Sequence, residues 1–476
     1  MDTRTMYGRR VITTDVPEIT VDNVVDVLRK AMAVHELNRG EIDYLWKYYK
    51  GNQPILTRTK TVRPEICNRI VENRANEIVS FKVGYLCGEP IQYIGRSSDE
   101  AISAAVGTLN EYMFLADKSA LDREVVEWDM ICGTAFRMVL DNDAYAPESD
   151  EAPFDMFTLD PRDTFVVYSN DVKNRRMMGV KYNIDEQGFK TYSVYTDSVC
   201  ITLYGEEIKS VVPHGLGCVP IFEYPANNAR LGAFEIVLPL LDAINNIESN
   251  RMDGVEQFIQ SFIKFVNCDI DEEKFKALKD LGGIKIKSVD GQPADVDIVT
   301  SELNQQQTQT LKDDAYKAIL SICGLPSMSD GSTSDSSNNG AVILKNGWQG
   351  AETRAKDSEL MFKRSEKEVL RLVLKLCDGL ADLKLNLKDI DMKFTRRNYD
   401  NIQSKSQVLV SMLQQPKIHP LLAFTHCGMF SDPESAYTMS NDYYEEQMEK
   451  WEPVDVDDDD SDNDVVDKGK SNVQTG

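Results

Sequence analysis

Apolar residues recur at helical spacing through most of this chain, and the places where that spacing fails mark where its character changes. From Val21 to Leu37 they fall three and four apart, which predicts a helix. An aromatic cluster follows in YLWKYYKGNQPIL, Tyr44 to Leu56, where Gly51-Asn52 marks a turn. A long helical pattern runs from Arg63 to Leu86 through Ile70, Val71, Ile78, Val79 and Val83, and stops at CGEP with Gly88 and Pro90. Ala101–Met113 and Ser119–Cys132 read as two more helices.

From Gly133 to Pro220 short β-rich runs alternate with turns: FRMVLDND, FTLDPRDTFVVYSN, MGVKYN and TYSVYTDSVCITLYG. They predict about four to six strands of an antiparallel sheet. PHGLGCVPIFEYPANN closes the region with Gly and Pro.

The clearest helix is Leu238 to about Phe262, with Pro239 in its first turn. Leu240, Leu241, Ile244, Ile247, Val255, Phe258, Ile259 and Phe262 form one face, and Asp242, Asn245, Asn246, Ser249, Asp253 and Gln257 the other. At 1.5 Å per residue it spans roughly 38 Å. A small insert follows: a strand near Ile263–Cys268, a helix Glu272–Leu281, the strand IKIKS, a turn at Asp290-Gly291 and the strand DVDIVT. A second helix runs from about Ser301 to Cys323 and ends at Gly324-Leu325-Pro326. Ser327–Gly340 is a polar loop of Ser, Thr, Asp, Asn and Gly apart from Met328. A long helix, Ala341–Leu376, comes next, with Glu352/Lys356 and Glu359/Lys363 at i,i+4 and with Gly347 and Gly350 as places to bend. A strand at Asp391–Thr395 and two or three short helices reach Trp451. There is no internal repeat.

Composition narrows the class. A chain of 476 residues implies about two to four folding units. No run of 18 uncharged apolar residues is present, and MDTRTMYGRR lacks the apolar core of a secretory signal. The nine cysteines are scattered without a C-x-x-C pair and read as reduced thiols in a cytosolic setting. A net charge of −25 argues against ordinary groove binding to DNA, which uses a basic face.

Searching for catalytic chemistry excludes more than it finds. There is no phosphate-binding G-x-x-x-x-G-K-[ST], no H-E-x-x-H and no G-x-S-x-G. Of the four histidines, His419 and His426 are seven apart, but Pro420 between them argues against a shared metal-binding helix face. Asp457–Asp460 lacks the Gly and Glu positions of a calcium loop. No cofactor or metal is expected. Lys345, Arg354, Lys356, Lys363 and Arg364 on the long helix read as a salt-bridged surface, except that Lys345 lies about one turn into the helix that follows the polar loop. Trp46, Tyr48 and Tyr49 read as packing residues, because a base-stacking site would have a basic groove around it.

The order of parts resembles the portal proteins of long-tailed double-stranded-DNA bacteriophages, the ring-shaped head-to-tail connectors. YYKGNQPIL with NRIVENRANEIVSFKVGYLCGEPIQY, Tyr48 to Tyr93, is similar to their N-terminal signature. PHGLGCVPIFEYPANN with FEIVLPLLDAINNIESN resembles their approach to the first stem helix, and GLPSMSDGSTSDSSNNGAVILKNGW the loop before their kinked helix. KFTRRNYDN and FSDPESAYTMSNDYYEEQ resemble their C-terminal region, so the likeness covers roughly Tyr44 to Trp451. The loop before the long helix departs from the family in being longer and richer in Asp and Ser.

The resemblance implies an α+β, mainly helical portal-type fold. A wing would occupy 1–237, stem helices 238–262 and 301–326, a clip 263–300 and a tunnel loop 327–340. The kinked helix and return to the wing would be 341–397, the crown 398–451 and an acidic tail 452–476. The polar faces of the stem would turn toward an axis and the apolar faces toward neighbouring copies. Ser332, Ser334, Asn338, Asn339 and Lys345 would line a DNA channel, and Glu272, Lys276, Lys279, Lys285 and Lys287 would dock the packaging motor or an adaptor. The implied partners are further copies of the chain in a homododecamer and double-stranded DNA held without sequence preference. The terminase large subunit, a head-completion adaptor, the major capsid protein and scaffolding protein complete the set, with no membrane. The implied place is the capsid vertex of the virion, after assembly in the host cytoplasm. Two other readings stay open: a ring-forming phage structural protein without a DNA channel, and a nucleic-acid enzyme with an unrecognised site. The tail after Trp451 holds nine acidic and two basic residues, too few apolar groups to fold. It is expected to be dispensable for folding, and strong amide-exchange protection across Asp455–Asp464 would contradict this.

Overall fold

The computed structural model describes residues 8–97, 99–147, 149–259, 262–266, 295–299, 305–326, 347–396, 402–430 and 433–449. The chain is mixed α and β and divides into two compact units, Met1–Asn398 and Tyr399–Gly476. The acidic tail lies outside the described residues.

In the first unit a short strand β1 (Ile12–Thr14) precedes helix α1 (Val24–Tyr49). This helix is longer than the pattern predicts. It runs through Gly40 into the aromatic cluster, because Ile42, Leu45 and Tyr48 continue the buried stripe, and it ends where Gly51 takes φ +91°. The Arg63–Leu86 expectation is corrected: helix α2 is only Arg74–Cys87, capped by Asn73, and the residues before it make no helix. Strand β2 (Gln92–Gly95) and helices α3 (Glu100–Leu115) and α4 (Lys118–Cys132) follow, the helices close to their predicted positions.

The β region is richer than expected. It holds β3 (Thr134–Asp141), β4 (Phe154–Leu159), β5 (Thr164–Ser169), β6 (Arg176–Ile184), β7 (Lys190–Tyr195), β8 (Val199–Tyr204), β9 (Glu207–Pro213) and β10 (Ile221–Pro225). Two sheets form, one ordered β1-β5-β6-β7-β8-β9 and one β10-β3-β4. All pairs are antiparallel except β1 with β5. Helix α5 (Leu238–Ile259) leads to strand β11 (Phe262–Val266), which pairs antiparallel with β12 (Asp295–Val299), and helix α6 (Gln305–Cys323) leads back. Helix α7 (Trp348–Ala381) and strand β13 (Ile390–Lys393), paired antiparallel with β2, complete the unit.

Two large cores and a small third one of Phe136, Met138, Val166 and Ile221 hold it together. Alternate residues Val180 and Tyr182, Tyr192 and Val194, and Ile201 and Leu203 point from the larger sheet at Val24, Val27, Leu28, Ala31 and Met32 of α1. The far half of α1 enters a second core with α2, α4, the smaller sheet and α7. One rigid helix thereby joins both. Trp46 stacks on Trp128 at 4.6 Å, and Tyr48 is fully buried, so the aromatic cluster packs as expected.

Within the second core lies a charged cluster with almost no exposure. Asp122 of α4 accepts from Lys118 one turn earlier and from Arg137 of β3 at 2.7 Å. Glu366 of α7 accepts from Tyr93 of β2 at 2.7 Å, from Arg137 at 3.2 Å and from Tyr224 of β10, and it pairs with Lys118 at 3.1 Å. Two cations face two anions, so the group is neutral and removing one member strands a charge. Burial alone would push the Glu366 carboxyl up. The charges of Lys118 and Arg137 and the two tyrosine hydroxyls reverse this and hold it below the ordinary carboxylate range.

The second unit contains helices α8 (Ile402–Leu413), α9 (Pro420–Cys427) and α10 (Pro433–Glu449). Helix α9 packs against both of the others. His419 caps α9 by accepting from the Leu421 amide at 3.2 Å, and Phe424 stacks on Phe430 and meets Tyr437 edge-on.

A depressed folded-state pKa for Glu366 means its stabilisation is present above the unfolded carboxylate value and is lost as pH falls through the folded value. Glu366→Gln should therefore cost about 3–5 kcal/mol at neutral pH. The deficit against wild type should shrink in acid, as read by denaturant titration of Trp fluorescence across pH. A deficit independent of pH would contradict the charge account.

Candidate functional site

The pair α5 and α6 carries the segment 260–304 between them, and β11–β12 pairing brings that segment's entry and exit side by side. The two helices run antiparallel. Arg251 pairs with Glu248 at 3.0 Å and donates to Gln309 at 2.9 Å, while Lys312 bridges Glu248 at 2.6 Å and Glu72 at 2.9 Å. Burial would lower the Lys312 ammonium, but its hydrogen bonds to Glu248 and Glu72 outweigh this and raise it. Tyr316 of α6 donates to Glu77 at 2.6 Å and lies under the Arg74 guanidinium at 4.1 Å. The pair is thus seated on the start of α2.

The polar stripe of α5 has a partner in its own chain. The backbone amides of Asn68, Ile70 and Glu72 donate to the side chains of Asp253 at 2.7 Å, Ser249 at 3.0 Å and Asn245 at 2.8 Å. Four helical residues rise about 6 Å and two extended residues about 6.6 Å, so alternate amides meet every fourth helix residue with little drift. The stripe continues through Asp242, which accepts from the buried Tyr48 at 2.9 Å. Asp253 also pairs with Arg58 at 3.1 Å and with Lys60. Burial would push the Asp253 carboxyl up, while Lys60 and the Asn68 amide outweigh it and hold it down. This corrects two expectations together. Residues 66–73 are not helical because their amides are committed to α5, and Asn245, Ser249 and Asp253 face this chain rather than an axis.

The polar loop is bounded by Pro326 and Gly347, and these two ends meet. Gly347 has φ +78° and a Cβ there would sit 3.7 Å from the Pro326 Cα. Whatever path residues 327–346 take, they leave and return at one point of the first unit. Gly347 is therefore the cap of α7 and not a bend within it, and the described helix begins three residues after Lys345. Gly350 falls in the first turn. Trp348 packs on Phe81 and Tyr85 of α2, fixing the start of α7. Arg396 clamps Glu352 at 2.6 Å and also Glu359, and the predicted pairs Glu352–Lys356 at 3.8 Å and Glu359–Lys363 at 2.9 Å are present.

Sequence reasoning did not bring together two cations at this loop base. Arg354 lies against Gly324, and Lys82 of α2 lines the same small recess. Neither has an acidic partner among the described residues. Burial, with the Arg354 charge added, lowers the Lys82 ammonium. In sequence Arg354 reads as part of a salt-bridged surface and Lys82 is not singled out, and only the tertiary structure brings them together.

Ser332, Ser334, Asn338, Asn339 and Lys345 lie outside the described residues, as do Glu272, Lys276, Lys279, Lys285 and Lys287. So do the predicted helix Glu272–Leu281, the strand IKIKS and the turn at Asp290-Gly291. No group of three or more His, Cys, Asp and Glu able to hold a metal occurs among the described residues, nor a helix long and apolar enough to cross a membrane.

A chain with this order of parts is matched over residues 28–457 by the family described as phage portal protein, SPP1 Gp6-like. It belongs to that family, one of structural rather than enzymatic proteins of the phage particle. No curated protein matches the chain. Among solved structures it is similar to a chain from the neck of an empty GTA particle computed with C6 symmetry. The two share 9% identity over 75% of this chain and 90% of that one, with a TM-score of 0.42. A likeness so distant adds nothing to the family assignment.

Ser249→Ala should leave the Ile70 amide without its acceptor and cost about 1–3 kcal/mol. Hydrogen exchange at Ile70 should accelerate before exchange in α2 does. Because the Asp253 pKa is depressed on folding, protection of Asn68 should persist above the unfolded carboxylate value and fade as pH drops through the folded one. Unchanged Ile70 exchange in the variant would contradict the ladder.

Proposed function

We propose that this chain is the subunit of a ring at one capsid vertex, a conduit through which double-stranded DNA is packaged and ejected without sequence readout. The observation that carries the reading is the family match over residues 28–457. The helix pair and the closed loop base agree with it. In this reading residues 1–237 form the wing, α5 and α6 the stem, 263–300 the clip, 327–340 the tunnel loop, 341–397 the long helix and its return, and 398–451 the crown. Twelve copies would close the ring.

The loop suits a moving substrate. Ser332, Ser334, Asn338 and Asn339 can hydrogen-bond phosphate oxygens, and Asp330 and Asp335 repel the backbone enough to prevent tight capture. Lys345, with Lys82 and Arg354 at the loop base, offsets that repulsion locally. The clip residues Glu272, Lys276, Lys279, Lys285 and Lys287 offer mixed charge for docking a terminase large subunit during packaging and an adaptor afterwards. The major capsid and scaffolding proteins would be further partners.

Deleting Ser332–Ser337 should leave ring assembly intact and lower the yield or length of packaged DNA. Wild-type packaging after that deletion would contradict the channel role of the loop.

A further inference from the structure

The second unit is built inside out. Its buried apolar side chains among the described residues are Ala423, Phe424 and Cys427. Larger apolar groups stand in solvent: Val408, Val410 and Leu413 on α8, and Met439, Tyr443, Tyr444 and Met448 on α10. Met439 is 70% and Tyr443 65% exposed, more than a helix surface needs to leave open. Tyr437 meets Phe424 of α9. At about 100° per residue, Met439 and Tyr443 lie on the opposite side of α10. On α8 the Lys405 ammonium donates to the Gly428 carbonyl beside α9, and Val410 lies on the far side by the same rule. Thus α8 and α10 each pack against α9 and each carry exposed apolar groups away from the contacts named.

Their charges are opposite. Residues 402–430, from α8 through α9, contain Lys405, Lys417, His419 and His426 and no carboxylate. Helix α10 contains Glu434, Asp442, Glu445, Glu446 and Glu449 and no cation. Two copies meeting α10 to α10 would oppose like charges. An α10 set on the α8 side of the next copy joins apolar to apolar and acidic to basic. That contact is heterologous, the kind that repeats around a ring.

We infer that α10 of one copy docks on the α8–α9 side of its neighbour, with Met439 and Tyr443 packed against Val410 and Leu413, so that the C-terminal unit completes its core only between copies. The inference rests on the ring reading above and adds to it a specific contact and a direction. The acidic tail after Trp451 is the other candidate to cover α8, and the test separates the two.

The full chain is prepared as the double variants Met439→Cys/Val410→Cys and Tyr443→Cys/Leu413→Cys, with each single variant and wild type alongside. Assemblies are sized in solution, treated with a short bis-maleimide and run on denaturing gels. The native thiols among the described residues are buried or half-buried, and wild type sets their background. Rings whose double variants give a ladder of covalent multimers, while single variants stay near background, support the contact. Rings that give no ladder overturn it and leave the ring reading standing. Dimers as abundant from Met439→Cys alone overturn it in favour of α10 facing α10. Absence of any ring overturns both. Independently, Met439→Lys/Tyr443→Lys should raise the concentration for half-assembly by about tenfold or more. An unchanged value, with helix content intact by circular dichroism, overturns the contact.

Discussion

The buried meeting of Glu366 with Lys118, Arg137, Tyr93 and Tyr224 is the constraint on which the first unit depends. It joins α7 to α4, to β3 and β10 of the smaller sheet and to β2. Each charge is costly to bury, and only one setting of α7 satisfies all of them together. Fixing α7 there fixes its start at Gly347, and so fixes the point at which the polar loop rejoins the unit. A well-packed apolar replacement could supply stability, but it would allow the helix to slide, because leucines at adjacent turns are interchangeable partners.

A second polar device serves the helix pair. Asn245, Ser249 and Asp253 satisfy alternate amides of an extended segment that would otherwise be buried without acceptors. Glu72 then reaches Lys312 of α6, so the same segment touches both helices. In a chain of net charge −25 these internal pairings matter, because the overall field disfavours compaction and each fixed cation–carboxylate contact locally offsets it. Position is set in both places by polar groups with few alternatives, and apolar burial supplies the bulk of the cohesion.

Much of the element order was legible. Strong periodicity placed α3, α4, α5 and α6 close to where they lie, and Gly324 and Gly51 marked real stops. The stretch before α2 misled because Ile66 and Ile70 share helical spacing, while the acceptors that hold it extended are almost two hundred residues away in sequence terms (on the order of the separations that defeat local reading). Strand β9 was missed because its side chains are exposed or half-exposed and show no alternation. FTLDPRDTFVVYSN read as one run, yet it supplies β4 to one sheet and β5 to the other, divided at Asp160-Pro161. The Glu366 cluster could not be read at all. In KRSEKE the residue resembles any solvated helix charge, and its partners are scattered from Tyr93 to Tyr224. Family resemblance proved a surer guide than any one motif, because the shared order of parts survives where local patterns blur.

The proposed role requires that this chain close into a ring around a channel entered by the loop between Pro326 and Gly347. Electron microscopy of the purified full-length protein tests it most directly. The account predicts closed rings with an axial opening, and the loop, marked by a gold-labelled cysteine substituted at Ser334, lying at the rim of that opening. A monodisperse monomer at micromolar concentration, or rings carrying the label on their outer edge, would contradict it.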